Sequence, residues 1–341
     1  MDGRTVPTLD AVAALAGVGR ATVSRVINGH GQVSARTRRV VEKAIAELGY
    51  IPSQSARSLA RQRTGTVAVV VAEPVPGDDP TAIDSAALPA PFLARVLRGI
   101  ATELGAAGLS LRLLMAHDWA RQLAAERLDG ALLLSAHRDA EATDVFDRLR
   151  LPMVRTGRPL GSAAVSYVDC DNRAGAREAV AHLLQRGRRT VATIAGPQDL
   201  SAGIDRLDGY RDALRAARMP EDHSLVVIGE FHEESGRRAV ADLLARHPDL
   251  DAVFAASDAI AVGALHAIRA SGRNVPGDIA IVGFDDSPVA RHTDPPLSSV
   301  YQPIEALGQE MTRLLVRVMN GEITHPQATI LPTRLVQRAS S

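Results

Sequence analysis

Residues 8–28, TLDAVAALAGVGRATVSRVIN, decide how the N-terminal part of this chain folds. Apolar residues recur there at three- and four-residue spacing on either side of Gly17, which predicts two short amphipathic helices joined by a turn that glycine permits. Thr8 precedes the first helix and can cap it through its hydroxyl. The residues predicted to be buried are Leu9, Val12, Ala13, Ala16, Val23, Val26 and Ile27.

The outward face of the second helix combines short side chains with arginine. The residues predicted to point outward are Arg20, Ala21, Thr22, Ser24 and Arg25. Short side chains at the N-terminal end of a helix allow close approach to DNA base edges, and an arginine can bind guanine through two hydrogen bonds. Arg20, Ala21 and Arg25 are therefore candidates for sequence readout, although two such helices alone could equally form an ordinary amphipathic hairpin.

A third helix is predicted between Ser34, which can cap its start, and Gly49, which can end it. Its expected apolar stripe consists of Val40, Val41, Ala44, Ile45 and Leu48. Because three amphipathic helices can close a small core, this segment favours a folded headpiece over an isolated hairpin.

The stretch SQSARSLARQR follows Pro52 and could form about two turns of helix, which is too short to be stable alone. We therefore expect it to become ordered only with a partner. Its one large apolar residue, Leu59, lies among arginines that include Arg57, and an apolar wedge between basic residues suits insertion into a DNA minor groove. A solvated linker is the alternative interpretation.

Residues 8–63 resemble, without gaps, the DNA-binding headpiece of the lactose repressor family (LacI/GalR) of bacterial transcription regulators. The resemblance rests on AGVGRATVSRVING, VSARTRRVVEKAIAELGYIPS and ARSLA, which occur in the family's order and spacing. It implies a hinge helix that folds on operator DNA, with Leu59 kinking the central base step. Gly19 stands where most members carry serine. The DNA contacts that it implies are Thr8, Arg20, Ala21, Thr22, Ser24, Arg25, Asn28, Ser34, Arg57, Ser58 and Leu59.

The net charge of zero hides a separation of charge along the chain. Residues 1–63 carry ten Lys or Arg against four Asp or Glu, whereas the remainder carries 29 against 35. A basic headpiece binds DNA phosphates with release of counterions, so its affinity for DNA should fall as the salt concentration rises.

The sequence also bears on the cellular compartment. It contains no run of about 18 apolar residues, and MDGRTVPTLD lacks the apolar core of a signal peptide, so we expect a cytoplasmic protein. The single cysteine, Cys170, excludes an internal disulfide and a cysteine-based zinc cluster, and we expect it to be a buried core residue.

From Thr66 onward, apolar runs such as TVAVVVAE, DGALLLS and IAIVGFDD alternate with helical segments. Continuous apolar strands are typical of parallel sheets covered on both faces, and there are too many for one compact open sheet. The prediction is an all-α helix-turn-helix headpiece with a hinge helix, followed by a two-lobe α/β core of two doubly wound parallel sheets. Ligands of such folds bind at the carboxyl ends of the strands, here along a cleft between lobes.

To about residue 338, the second part resembles the periplasmic-binding-protein-like core of the same family, most clearly in YVDCDNRAGAREAVAHLLQRG and VPGDIAIVGFDDSPVARHTDPPLSSVYQPI. In that family the chain crosses between the lobes three times. The crossings are expected near Ser166, Asp294 to Pro296, and His325 to Gln327. The expected domains are a headpiece at 1–51, a hinge and linker at 52–65, and a core at 66–341 with an N-lobe of 66–166 plus 298–325 and a C-lobe of 167–293 plus 327–338.

Arg206 and Asp285 match the arginine and aspartate that hold the effector in the family. A guanidinium donates to hydroxyl and ring oxygens while a carboxylate accepts from hydroxyls, and together they suit a polyol. An interlobe salt bridge is the alternative role for Arg206. The other expected effector contacts are Ser257, Asp258, Phe231 and Phe92, and Trp119 could either stack on the ligand or pack between helices.

The wall of the N-lobe departs from the family pattern. Gly157 and Arg158 occupy the place where several sugar-responsive members carry an aspartate, which changes the hydroxyl pattern that this wall could read. The chain also has a long insertion within 73–91 and a short segment at 116–128, so the N-lobe contacts are the least defined part of the site.

Enzyme motifs are missing, since the sequence has no GxxxxGK[ST], GxSxG or HExxH. A transport-type sugar-binding protein would share the core but requires export, and a sugar-processing enzyme would require an acid-base pair in the cleft. We expect instead a repressor without cofactor or metal that binds near-palindromic operator DNA and a small-molecule effector, a mono- or oligosaccharide. Because no leucine heptads follow Leu335, a homodimer is expected rather than a tetramer.

Overall fold

The computed structural model describes residues 7–28, 32–50, 63–72, 90–115, 118–134, 139–161 and 164–341. The chain divides into two compact units, residues 1–65 and residues 66–341. Within the described residues, no helix is both long and apolar enough to cross a membrane.

The first unit contains three helices, α1 (Leu9–Ala16), α2 (Arg20–Asn28) and α3 (Ala35–Leu48). The Thr8 hydroxyl accepts a hydrogen bond from the Ala11 amide at 3.2 Å and caps α1, as predicted. Ser34 caps α3 in the same way, by accepting from the Thr37 amide at 3.1 Å. Gly17 has a φ of +64°, which a residue without Cβ adopts without strain, and it forms the turn between α1 and α2.

The three helices share one small apolar core, whose buried residues are Val12, Ala16, Val23, Val26, Val41 and Ala44. Leu9, Ala13, Ile27, Ile45 and Leu48 pack against it, in agreement with the predicted stripes. Val40 is the exception, because it is 43% exposed and lies one position outside the buried face of α3. The predicted hinge contacts Arg57, Ser58 and Leu59 lie outside the described residues.

The second unit is a two-lobe α/β core built on two six-stranded sheets within its described residues. The N-lobe strands are β1 (Thr66–Val71), β2 (Ser110–Leu114), β3 (Gly130–Leu134), β4 (Met153–Thr156), β5 (Ser166–Cys170) and β11 (Ala328–Leu331), in the order β11-β5-β4-β3-β1-β2. The C-lobe strands are β6 (Val191–Ala195), β7 (Val226–Ile228), β8 (Ala252–Ala255), β9 (Ala280–Asp285), β10 (Ser298–Tyr301) and β12 (Arg334–Val336), in the order β12-β10-β9-β8-β6-β7. All pairings are parallel except the antiparallel pairing of β10 with β12.

Helices cover both sheets. The N-lobe helices are α4 (Ala90–Ala106), α5 (Trp119–Ala125), α6 (Asp139–Leu149) and α11 (Ile304–Met319). The C-lobe helices are α7 (Asn172–Gln185), α8 (Ser201–Ala216), α9 (Glu233–Arg246) and α10 (Asp258–Ala270). Cys170 is 4% exposed in the N-lobe core, as expected.

The three predicted crossings are each wrong by several residues. Ser166 begins a strand that still pairs with the N-lobe strand β4, and residues 298–301 form a strand that pairs with the C-lobe strand β9. The third crossing lies after β11, which pairs with β5. Each of these strands stays paired within one sheet over its whole length. The chain therefore crosses to the other lobe only after the strand has ended, at Cys170, Tyr301 and Leu331.

Two C-lobe helices, α9 and α10, pack at a distance that only glycine allows. A Cβ atom at Gly263 of α10 would lie 1.8 Å from the carbonyl oxygen of Glu233, and one at Gly236 of α9 would lie 2.0 Å from the carbonyl oxygen of Ile260. Real Cβ atoms do not come so near to backbone oxygens, so both positions require glycine.

Candidate functional site

Arg206 and Asp285 meet at the carboxyl ends of the C-lobe strands. Arg206 lies on α8 and is 5% exposed, and its Nη1 is 3.7 Å from Oδ1 of Asp285. Its Nε donates to Oδ1 of Asn172 at 2.9 Å, and its Nη1 donates to the carbonyl oxygen of Ala256 at 2.5 Å. The ion pair lies within the C-lobe, so the interlobe alternative for Arg206 does not apply in this structure.

Burial governs the electrostatics of this pair. Burial raises the pKa of the Asp285 carboxyl, and the nearby Arg206 guanidinium opposes that increase. Burial also lowers the pKa of Arg206, opposed by the charge of Asp285. Each group therefore stabilises the charged form of the other, which makes the pair a preformed donor and acceptor.

The turn that presents Asp285 is strained. Asp285 has a φ of +106° and Asp286 has a φ of +44°, where residues other than glycine cost about 1–3 kcal/mol each. Hydrogen bonds from both sides hold the turn. The Asp286 amide donates to Oγ of Ser299 at 3.0 Å, and an Asp286 carboxylate oxygen accepts from Nη2 of Arg338 at 2.6 Å. The amide of Ser287 donates to Oδ2 of Asp258 at 2.6 Å.

Asp258 is directed into the C-lobe rather than toward Arg206. It is 1% exposed, and its Oδ1 accepts from Oγ of Ser299 at 2.5 Å. One of its carboxylate oxygens thus accepts from the turn after β9, and the other accepts from strand β10. Ser257, its neighbour, caps α10 by accepting from the Ile260 amide at 3.2 Å. Burial and the nearby charge of Asp285 raise the pKa of Asp258.

Further polar side chains connect the Arg206–Asp285 pair to the N-lobe, on the side of Arg206 and on the side of Asp285. Nδ2 of Asn172 donates to Oδ1 of Asp169 at 2.9 Å, where β5 leaves the N-lobe. Nε2 of Gln302 donates to Oδ1 of Asp285 at 2.6 Å, at the next crossing. Arg95 of α4 donates to the carbonyl oxygens of Asp285 and Gln302, both at 3.4 Å. A chain of hydrogen bonds and one ion pair, that of Arg206 with Asp285, therefore begins and ends on the N-lobe and passes through the C-lobe.

Aromatic rings flank the Arg206 guanidinium. Its Cζ lies 3.9 Å from the ring centroid of Phe284 and 5.4 Å from that of Phe231, both within the range of cation–π attraction. Phe284 is fully buried, whereas Phe231 is half-buried. Phe231 thus has a ring surface that a ligand can reach, and the contact that the family resemblance implies for it stays a prediction.

Phe92 contributes from the opposite lobe. It lies on α4, packs against the N-lobe core, and lines a cavity of about 70 Å³ together with Arg95 of the same helix. Asp285 and Ser287 line this cavity from the C-lobe. The cavity therefore opens between the lobes, at the place where the sequence predicts the effector.

Trp119 packs between helices instead. Its ring stacks on that of Phe146, with 5.9 Å between the centroids and 18° between the planes, and both belong to one apolar cluster of the N-lobe. The structure therefore favours the helix-packing alternative for Trp119.

Sequence reasoning missed Asn172, Gln302 and Arg95. Asn172 and Gln302 follow β5 and β10, so the misplaced crossings put them away from the cleft. The signal that could have identified them is the polar residue that directly follows an apolar strand. Arg95 gave no such signal, because a single arginine on a surface helix is ordinary.

The candidate DNA-reading surface lies on the first unit. Ala21 and Arg25 of α2 are exposed, whereas Thr22 and Ser24 are half-buried. Nη1 of Arg20 is 3.4 Å from Oδ2 of Asp10, and both side chains are largely exposed. An exposed ion pair of this kind contributes little, so the guanidinium of Arg20 remains available to a phosphate or a base. The backbone of Asn28 ends α2.

Comparison with known proteins agrees with both units. Residues 8–53 match the model of bacterial regulatory proteins of the lacI family, and residues 180–341 match a periplasmic binding protein-like domain. The chain is 48% identical to the HTH-type transcriptional regulator CelR of Thermobifida fusca over 348 aligned positions, covering 100% of both chains.

Solved structures give the same result for the fold. A CelR–cellobiose complex superposes with a TM-score of 0.76 at 48% identity, covering 98% of this chain and 100% of that one. The lac repressor dimer bound to operator and the anti-inducer ONPF superposes with a TM-score of 0.81 at 27% identity, covering 98% and 99%. The helical headpiece, the two-lobe core and these matches together show that the chain belongs to the LacI family of DNA-binding bacterial transcriptional regulators and is not an enzyme.

Proposed function

We propose that this regulator is a homodimeric repressor whose affinity for a near-palindromic operator is controlled by a β-linked glucose disaccharide of the cellobiose type, bound between the lobes. The observation that carries the proposal is the buried Arg206–Asp285 pair at the edge of the cleft. The cellobiose complex of a relative with 48% identity supports the choice of sugar. We also propose that the protein acts in the cytoplasm, where operator DNA is found.

The pair suits a neutral sugar for a chemical reason. A pyranose ring offers hydroxyl donors to the carboxylate of Asp285 and oxygen acceptors to the guanidinium of Arg206. The half-buried ring of Phe231 can contact the apolar face of the sugar. Because both charges are already present and paired, an uncharged ligand adds no unpaired charge to the site.

Binding has to move the lobes. The interlobe cavity of about 70 Å³ is much smaller than the roughly 300–1,000 Å³ of small-molecule sites. The lobes therefore separate to admit a disaccharide and close around it. Such a movement changes the relation between the two N-lobes of a dimer, and hence the pairing of the hinge segments that carry the headpieces.

The edge strand β2 supports the homodimer. Leu111, Leu113 and Met115 are 38%, 37% and 46% exposed and recur at every second position, so they share one face of an edge strand. Unpaired apolar edge strands are rarely left open to water in monomers. We therefore assign this face to the contact between protomers.

Leu113→Glu should weaken the dimer. A carboxylate buried in an apolar contact has no partner, so we expect the dissociation constant of the dimer to rise at least about tenfold. Sedimentation velocity at decreasing protein concentration measures it. Ile228→Glu is the matched control, because Ile228 is also exposed, at 51%, and ends an edge strand of the other lobe. Equal effects of both substitutions on the dimer would refute the assignment of β2 to the interface.

Arg25→Ala should weaken operator binding about 10- to 100-fold, the usual cost of losing an arginine contact to a base. Fluorescence anisotropy on labelled promoter DNA measures it, and the affinity for unrelated DNA should change much less. The exposed Arg148 of the core serves as control, since Arg148→Ala should leave binding unchanged. A loss of equal size on specific and unrelated DNA would assign Arg25 to phosphate binding instead.

The experiment that tests the proposed function is the same anisotropy measurement with a panel of sugars. Cellobiose should change operator affinity at least tenfold, about 1.4 kcal/mol of coupling, while maltose and ribose change it little. Tight operator binding that no sugar alters would refute the sugar effector and leave a DNA-binding regulator with another signal.

A further inference from the structure

We propose that Arg158 and Asp205 form a clasp that holds the two lobes together beside the effector site and thereby sets the effector affinity. Arg158 lies on the loop between β4 and β5 of the N-lobe. Asp205 lies on α8 of the C-lobe and immediately precedes Arg206. The part of the proposal that concerns affinity rests on the proposed sugar effector, and the part that concerns lobe contact does not.

The contact between the two side chains is direct and well placed. Nη2 of Arg158 donates to Oδ1 of Asp205 at 2.7 Å, and the two side chains are 39% and 20% exposed. The backbone of Arg158 is fixed as well, because its amide donates to Oδ2 of Asp169 at 3.1 Å. The loop that carries the Arg158 guanidinium is therefore anchored to the N-lobe at this residue.

A second observation shows that the lobes touch at this point. Gly157, adjacent to Arg158, lies so close to α8 that a Cβ atom on it would be 2.8 Å from Oγ of Ser201. The loop of one lobe and the first turn of a helix of the other are thus in contact, with the ion pair one turn farther along α8. On this side of Arg206 the cleft is closed.

The pair differs from a second interlobe contact, which Arg95 makes. Arg95 donates to backbone carbonyls at 3.4 Å, whereas Arg158 binds a carboxylate at a much shorter distance. A guanidinium bonded to a carboxylate joins two opposite charges, so it binds more strongly than a guanidinium bonded to a neutral carbonyl oxygen. The Arg158–Asp205 pair is therefore the stronger of these two links, and it is partly exposed to salt.

Lobe contact is tested by distance measurements on the full ligand-free protein. Because Cys170 is 4% exposed, cysteines introduced at the exposed positions Asp147 of the N-lobe and Ala217 of the C-lobe can carry spin labels without its removal. Asp205→Asn and Arg158→Gln should lengthen or broaden the distance distribution, and Arg158→Lys should restore most of it. High salt should broaden the distance distribution of the labelled protein that keeps both Arg158 and Asp205, and it should leave the distribution of Asp205→Asn unchanged.

The matched control is an ion pair within one lobe. Arg173 of α7 binds Asp212 of α8 at 2.6 Å, so Asp212→Asn removes a similar contact without touching the cleft. An unchanged distribution in Asp205→Asn, or the same broadening in Asp212→Asn, would overturn the clasp.

Effector affinity provides the second readout. Asp205→Asn should raise the cellobiose dissociation constant about two- to fivefold at low salt, which is the range that partly exposed ion pairs supply, and the difference should vanish at high salt. An unchanged cellobiose affinity of Asp205→Asn at low salt would refute the proposal that the clasp sets the effector affinity. If cellobiose does not bind the unaltered protein, the proposed effector fails, while the distance measurement still decides the clasp.

Discussion

Arg206→Ala should abolish the response to cellobiose while operator affinity in its absence remains within about threefold of the parent value. The substitution removes the donors that we propose bind the sugar and leaves Asp285 without its cation, so we expect the dissociation constant for cellobiose to rise at least about a hundredfold. Titration calorimetry measures the affinity, and anisotropy on labelled operator DNA measures the response.

The same substitution should destabilise the core, because a buried carboxylate without its partner costs about 3–5 kcal/mol. The double variant Arg206→Ala with Asp285→Asn removes that unpaired charge, so it should regain part of the stability and none of the response. This separates a lost contact from a lost fold.

Arg211→Ala is the matched control on the same helix. Arg211 binds Glu221 at 2.7 Å on the outer side of α8 and is partly exposed, so its loss should leave both affinities unchanged. A normal cellobiose response in Arg206→Ala, with the protein folded, would refute the assignment of the site.

Gly263→Ala should strongly destabilise the core. Its Cβ would lie 1.8 Å from the carbonyl oxygen of Glu233, and backbone cannot swing aside as a flexible side chain can. The helices α9 and α10 would have to separate, which should lower the free energy of unfolding by about 3 kcal/mol. Urea denaturation followed by circular dichroism measures the change.

Gly105→Ala provides the comparison. Gly105 also lies in a helix, α4, but a Cβ atom there would meet no atom within 4 Å. Alanine is the better helix former, so this variant should be neutral or up to about 1 kcal/mol more stable. Similar effects of the two substitutions would show that helix propensity, rather than close packing, decides the outcome.

The headpiece could be predicted almost completely from the sequence. Its helices are short, and caps such as Thr8 and Ser34 mark their starts by local hydrogen bonds that depend on neighbouring residues alone. The misassignment of Val40 reflects a one-residue error in the apolar stripe, which local spacing does not resolve at the edge of a helix face.

The lobe crossings could not be predicted in the same way. The strands β5 and β10 are short apolar runs that would fit either sheet, and their lobe is decided by pairing with distant partners such as β4 and β9. Because the crossings determine which polar residues face the cleft, the error also hid Asn172 and Gln302.

At the candidate effector site, sequence reasoning identified residues whose chemistry is evident one at a time, and it missed residues that act as part of a network. Arg206, Asp285, Phe231 and Phe92 lie around the cleft, as the sequence suggests. Asp258 shows the limit of this reasoning. A carboxylate next to the site is directed inward, because its hydrogen bonds to the Ser287 amide and the Ser299 hydroxyl hold the strained turn.

That turn has a consequence for how ligand preference can change over evolution. The backbone that presents Asp285 is held by Asp258, Ser299 and Arg338, none of which needs to contact a ligand. Substitutions at Phe231 or Phe92 can therefore reshape the walls of the proposed site one residue at a time while Asp285 stays in place. Descendants of such a chain can acquire new signals without rebuilding the part of the site that is most costly to fold.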